Sequence, residues 1–411
     1  MKLLRLFLLF SWFLFFMTRP VPPAFPADAE PPAESKRVES KEPEHIGAIP
    51  TYVQKKIYKK VRKQNHVDFS IKFACIGDVD GDGTRELIST DSRRLSIVQC
   101  KYGEFHPLVP PAQEGKSRFS SFWPWSKGDS ERSMEAINKL NKGIQYLSLT
   151  AEDLDGDGRD EILFTGMKDH ELLSGIITFK NRGFSQYQAD AGLYLKAFHE
   201  EGGRPVLAGQ NLHAGKKETN RYLWDGNSLQ KGASMDLPGE ADIFNTDTYL
   251  SGGPDGPAYV TLGHPEGLRF FSSDLKMIME TALPGRIKQS FLPVHAGDDQ
   301  GKSKKKRVRV SQKFLSGDFD KDGMDEVILI VERPWADIWG IRHLFKVQVA
   351  ADMILANGHV VEFWDSEPVF GEILDLTVGD ADNNGKDDLV LIIKGGLNPF
   401  GGGTKILIYD F

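Results

Sequence analysis

An acidic nonapeptide written four times limits what this chain can fold into more than anything else in it. The copies are DVDGDGTRE (78–86), DLDGDGRDE (153–161), DFDKDGMDE (318–326) and DADNNGKDD (380–388). Each sets a side-chain oxygen at positions one, three, five and nine, with glycine at six. Carboxylates crowded onto so short a loop repel one another, and a hard cation that takes about six to eight oxygens relieves the repulsion. Glycine permits the bend, and the carbonyl at position seven can turn inward as a further ligand. The pattern predicts up to four structural Ca²⁺ ions. The ligands are Asp78, Asp80, Asp82, Thr84 and Glu86 in the first loop, and Asp153, Asp155, Asp157, Arg159 and Glu161 in the second. The third loop offers Asp318, Asp320, Asp322, Met324 and Glu326, and the fourth Asp380, Asp382, Asn384, Lys386 and Asp388. Thr84, Arg159, Met324 and Lys386 contribute main-chain oxygen. The fourth site, with Asn384 in place of an aspartate, is the weakest on charge.

A helix–loop–helix calcium site would need a bidentate glutamate at position twelve. That position holds Ser89, Phe164, Leu329 and Leu391. Each loop runs directly into a short apolar segment such as Ile162-Leu163-Phe164 or Val327-Ile328-Leu329-Ile330. Such runs, bounded by turn residues, read as strands buried on both faces. The loops therefore join strand to strand.

On these residues the chain resembles the calcium-binding repeats of the integrin α-subunit propeller, the FG-GAP or VCBS repeats, in their bacterial exported form. The likeness is specific at the loops and reaches roughly residues 66–411 by repetition; the flanking Phe-Gly and Gly-Ala-Pro signatures are not present as such, since no loop carries the two together. It implies an all-β fold, a β-propeller of four-stranded blades.

The long interval between the second and third loops has room for units without metal. Leu193–Gly209 keeps a strand–turn–strand shape with Glu200-Glu201-Gly202-Gly203 in place of the acidic loop, and Thr248–Leu262 does so with Gly252-Gly253-Pro254-Asp255-Gly256. Turns at Tyr102-Gly103, Asn181-Arg182-Gly183, Asp225-Gly226, Ser273-Asp274 and Asn357-Gly358 separate third from fourth strands. This gives five complete blades and a sixth that stops at its third strand, Lys405–Phe411. A bare sheet edge is unfavourable, so the segment around Pro50 to Lys60 is predicted to supply the missing strand and close the ring. Six blades is the reading, with seven the alternative.

Ahead of the propeller (49–411) stand a secretory signal peptide (1–29) and a Pro/Glu-rich linker (30–48). Lys2 and Arg5 precede an apolar run from Leu6 to Met17, and Ala27-Asp28-Ala29 offers a cleavage site. The apolar run is shorter than the ~20 residues of a membrane span, so the mature chain has no predicted transmembrane segment; retention as an anchor is the alternative. The chain is then exported, and periplasmic, associated with the outer envelope or secreted. Cys75 and Cys100 fall about two strand spacings apart, ~9.5 Å, beyond disulfide reach, and are predicted to be free and buried.

Insertions at 109–144, 284–307 and 333–345 fall in connections on the face opposite the acidic loops. They carry Trp123, Trp125, Trp335, Trp339 and the run Lys304, Lys305, Lys306, Arg307. A helix over Ser130–Lys142 would place Met134, Ile137 and Leu140 on one side. Loops on a rigid scaffold concentrate binding residues, so these residues are the candidate contact surface for a protein or glycan of the cell envelope. The net charge of −7 gives no footing for nucleic acid. No nucleophile elbow, zinc pair or phosphate loop is present. The sequence thus reads as a non-enzymatic adhesion or envelope-interaction module; the alternative is a hydrolase, lyase or enzyme subunit with its site in the central channel.

Overall fold

The computed structural model describes residues 57–59, 63–67, 70–101, 104–109, 129–169, 171–190, 192–200, 205–211, 218–239, 241–250, 258–263, 267–282, 289–297, 303–311, 313–319, 321, 325–334, 345–354, 360–366, 372–394 and 403–410. Two short strands, β1 (Ile57–Lys59) and β2 (Lys63–Val67), precede the first sheet. That sheet is β3 (Phe73–Gly77), β4 (Glu86–Thr90), β5 (Leu95–Lys101) and β6 (Glu104–Val109), paired in chain order. Helix α1 (Asp129–Leu140) leads to the second sheet: β7 (Gln145–Glu152), β8 (Glu161–Lys168), β9 (Glu171–Lys180) and β10 (Gly183–Gln188). The third is β11 (Leu193–His199), β12 (Pro205–Asn211), β13 (Glu218–Trp224) and β14 (Leu229–Ser234). The fourth is β15 (Thr246–Thr248), β16 (Tyr259–Gly263), β17 (Gly267–Phe271) and β18 (Met277–Ala282). A separate two-stranded hairpin follows, β19 (Gln289–Gly297) with β20 (Ser303–Ser311).

The next sheet holds β21 (Leu315–Gly317), β22 (Glu326–Pro334), β23 (Phe345–Ile354) and β24 (Val360–Ser366), with β1 added in parallel at the edge of β24. The last is β25 (Ile373–Gly379), β26 (Asp388–Lys394) and β27 (Thr404–Asp410), with β2 antiparallel to β27. The protein is thus an all-β propeller of four-stranded, mostly antiparallel blades. Five sheets have four strands, one has five and one has two, where the sequence predicted six or seven four-stranded blades. The N-terminal segment also differs from prediction. The strand beside β27 is Lys63–Val67, not a piece of Pro50–Lys60, because the chain first passes the edge of β24, where Ile57 pairs with Trp364.

The second strands explain the continuous apolar runs. A blade packs against a neighbour on both faces, so alternation with polar residues would leave one face unsatisfied. All of β4 is buried, and so is β26 up to Ile393. Phe164 of β8 lies edge-on to Tyr146 of β7, with ring centroids 5.4 Å apart, and both are fully buried. Gly175 sits beneath that ring, where a Cβ would come within 2.5 Å of Phe164 Cε1. Cys75 is free and buried; the side chain of Cys100 lies outside the described residues.

Helix α1 forms where its sequence predicts, and Met134 and Ile137 are buried among Leu95, Ile97 and Ile144. Leu140, placed on the same side by the sequence, is instead 61% exposed. The insertion before β21 is read from sequence as a loop ending in a basic run; it is a hairpin of nine paired positions, and Lys304–Arg307 lie in β20. The relic units are paired strands: Leu195 faces Gly209, and Thr248 faces Tyr259. Among the described residues, no helix is long and apolar enough to cross a membrane.

Candidate metal loops and central cavity

Each acidic loop joins the first strand of a sheet to its second, and strand direction fixes the two ends of the site. In the first loop, Asp78 follows β3 and Glu86 opens β4, opposite Gly77. The Asp78 carboxylate gathers the turn. Its Oδ1 accepts from the N–H groups of Gly81 (2.8 Å) and Asp82 (3.1 Å), and its Oδ2 from Gly83 (2.9 Å). The second loop repeats this at Asp153, with Gly156 at 2.8 Å, Asp157 at 3.1 Å and Gly158 at 3.0 Å. The fourth does so at Asp380, with Asn384 at 2.9 Å and Gly385 at 2.7 Å. The position-six glycines have φ of 81°, 85° and 87° at Gly83, Gly158 and Gly385, the left-handed region that penalises any Cβ.

Position nine is buried in all four loops, as Glu86, Glu161, Glu326 and Asp388. Each accepts the N–H of position two: Val79 at 3.1 Å, Leu154 at 2.9 Å, Phe319 at 3.0 Å and Ala381 at 3.3 Å. Burial pushes the Glu86 carboxyl up to about 9, with Asp80, Asp82 and Asp78 adding repulsion. Burial pushes Glu161 up to about 7, helped by Asp155, Asp157 and Asp153. A cation in the loop would offset this repulsion and favour the ionised carboxylates.

Three loops bring the oxygens of positions one, three and nine together: Asp78, Asp80 and Glu86; Asp153, Asp155 and Glu161; Asp380, Asp382 and Asp388. Within each set the oxygens lie within 4.8 Å of one another. Oxygens about 2.4 Å from a shared Ca²⁺ lie no more than ~4.8 Å apart, so the residues fit such an ion. Position five does something else here. Asp82, Asp157 and Asn384 accept from the N–H of Thr84 (2.7 Å), Arg159 (3.0 Å) and Lys386 (2.9 Å), the residues whose carbonyls are the position-seven candidates. In the third loop Asp318 and Glu326 are in place, while Asp320, Asp322 and Met324 lie outside the described residues.

Position eight escapes the ligand pattern, and the structure gives it a use. Asp160 Oδ2 accepts from the Asp78 N–H at 2.8 Å, and the Asp160 N–H donates to the Asp78 carbonyl at 2.8 Å. Asp325 accepts from the N–H of Leu250, two residues past β15. Asp387 lies 3.8 Å from Arg85 Nη1 and 3.5 Å from Lys321 Nζ. Aspartate at this position in three of four loops was the available signal.

The first strands of the sheets surround a cavity of about 670 Å³. Charged side chains span the seams between sheets there. Lys196 Nζ donates to the Thr246 carbonyl at 2.5 Å and lies 3.4 Å from Asp247 Oδ2. Lys313 Nζ donates to the Ala74 carbonyl at 3.3 Å and lies 3.9 Å from Asp375. His199 Nε2 is 3.1 Å from Glu152 Oε2, a contact that raises the imidazole above its ordinary value. Burial raises Asp247 and Asp375, against the pull of Lys196 and Lys313 respectively. Of the candidate contact residues, Trp123, Trp125, Trp335 and Trp339 lie outside the described residues, as do the side chains of Lys304, Lys305, Lys306 and Arg307.

No protein-family model matches the chain, and no curated protein does. Solved structures resemble it in outline only. One described as BBS1N in complex with ARL6DN, soaked with mercury, has TM-score 0.42 at 10% identity, over 86% of this chain and 98% of that one. A chain of a mitotic checkpoint complex has TM-score 0.41 at 7% identity, over 92% and 99%. The exotype rhamnogalacturonan lyase YesX has TM-score 0.37 at 12% identity, over 86% and 74%. The likeness stops at outline, and the fold rests on the strand pairing above.

Proposed function

We propose that this chain is an exported propeller of the FG-GAP/VCBS type, stabilised by Ca²⁺. It holds a protein or glycan of the cell envelope on the face opposite its acidic loops and is not itself an enzyme. The observation that carries this reading is the convergence of three carboxylate sets at strand one–strand two corners. With metal and tight turns committed to that face, the elaborated connections leave from the other, because strand four of one sheet and strand one of the next meet there. We read the five-stranded sheet as a further blade and β2 as the strand that closes the ring. The packing of Ile328 and Ile330 against Ile373 and Leu376, and of β25 beside β3, supports this.

Capture of envelope components by the immobilised full chain tests the reading. Reversing Lys304, Lys305, Lys306 and Arg307 to glutamate is expected to abolish capture without changing thermal stability. Undiminished capture by that variant and by Trp335→Ala/Trp339→Ala contradicts the assigned face.

A second reading, a hydrolase or lyase site in the central cavity, is favoured by one observation. Lys196, Asp247, Lys313, Asp375, His199 and Glu152 line the same cavity. Turnover of glycoside or phosphodiester substrates that is lost in Asp247→Asn would establish it, and no turnover by calcium-loaded protein would set it aside.

A further inference from the structure

The four acidic loops are separated unevenly in sequence, with the longest gap between the second and third. In space they form one unbroken arc. Lys321 of the third loop lies 3.5 Å from Asp387 of the fourth. The fourth reaches the first through Asn383, whose Oδ1 accepts the Arg85 N–H at 2.7 Å and whose Nδ2 donates to the Arg85 carbonyl at 3.2 Å. The first meets the second through the paired backbone of Asp78 and side chain and backbone of Asp160. The Arg159 side chain also packs against Gly81, where a Cβ would lie 2.8 Å from its Cγ.

These contacts join residues that no ligand pattern includes to residues that set ligand geometry. Asp160 holds both main-chain polar groups of Asp78, whose carboxylate organises the first loop. Asn383 holds both main-chain groups of Arg85, the neighbour of Glu86. Ordering one loop around an ion therefore orders part of the next, and a second ion meets a site whose ordering is already partly complete.

We propose that the loops form one coupled calcium-binding arc, in which positions four and eight (Asn383, Asp160, Asp387) are positioning residues that make binding cooperative and lock the last sheet to the first. This rests on the calcium reading of the loops. Coupling between sites is reciprocal and typically amounts to about 5- to 150-fold in affinity.

Calcium titration of the full, chelator-stripped chain tests it, followed by heat and by thermal stability. Wild type is expected to bind with a Hill coefficient above one. Asp80→Asn, which disables the first loop, is expected to weaken binding at the remaining loops by at least ~5-fold. Asn383→Gly removes the clip while suiting the backbone, since Asn383 has φ 59° and the first and second loops hold glycine there, at Gly81 and Gly156. It is expected to bring the Hill coefficient down with unchanged stability in chelator. Asp160→Ala, which removes the acceptor for the Asp78 N–H, is expected to weaken the first loop although Asp160 is not a ligand. Stabilisation by calcium with independent sites, or an Asn383→Gly isotherm identical to wild type, overturns the coupling alone. No calcium effect on wild type overturns the calcium reading with it.

Discussion

The side-chain amide of Gln99, on β5, donates to Oε1 of the fully buried Glu86 at 3.1 Å, while Glu86 Oε2 accepts from Val79 at 3.1 Å. Glu86 is thus a metal-ligand candidate fixed by its own sheet before any ion arrives. Its cost is electrostatic. The folded carboxyl titrates near 9 and the unfolded one near 4.5, so the folded state binds more protons between those values. Without metal, the stability contributed by Glu86 is fully present below about pH 4.5 and falls as pH rises toward 9. Glu161, near 7, adds the same slope over a narrower window. Unfolding at pH 5 and pH 8 in chelator should show the loss, and saturating calcium at pH 8 should remove it. Glu86→Gln is expected to be more stable than wild type at pH 8 in chelator and less stable in calcium.

The hairpin between β9 and β10 turns on Asn181 and Arg182, with φ of 53° and 65°. Two left-handed residues in succession suit Asn-Gly, and arginine pays for its Cβ there. Arg182→Gly should stabilise the protein by roughly 1 kcal/mol, read as a shift in urea midpoint at constant slope. A loss of stability would mean that the Arg182 side chain contributes more than its backbone strain costs.

Phe164 fills the interface between the first and second sheets over Gly175. Phe164→Ala leaves a cavity that the surrounding strands cannot collapse into, and should cost about 3–5 kcal/mol in equilibrium unfolding.

Lys313 and Asp375 tie three sheets together at the cavity wall, because Asp375 Oδ2 also accepts the Ala74 N–H at 2.8 Å. Lys313→Met strands a buried carboxylate. The loss should be about 3 kcal/mol, at the low end for a buried pair since the lysine side chain is 27% exposed. Lys313→Met/Asp375→Asn should recover most of it. Additive losses across the cycle would show that the two do not interact.

Local chemistry made the fold legible. Glycine at position six and the apolar run after position nine state a strand–turn–strand corner wherever they occur, and the structure has one at each. Met134 and Ile137 betrayed the buried side of α1 by their spacing, although Leu140 at the helix end turned outward. What the sequence hid depends on the ring. Nothing local tells that Asp160 reaches back to Asp78, that Lys63–Val67 rather than Pro50–Lys60 pairs with β27, or that Lys196 and Lys313 meet carboxylates at the seams between sheets. Such contacts follow from which sheets become neighbours.

Bound metal counted on purified protein tests the account most directly. Native mass spectrometry after dialysis against calcium, and again after chelation, should show up to four Ca²⁺ per chain, lost with chelator together with a fall in unfolding temperature. A chain that carries no calcium after dialysis, or unfolds at the same temperature with and without it, would contradict the account.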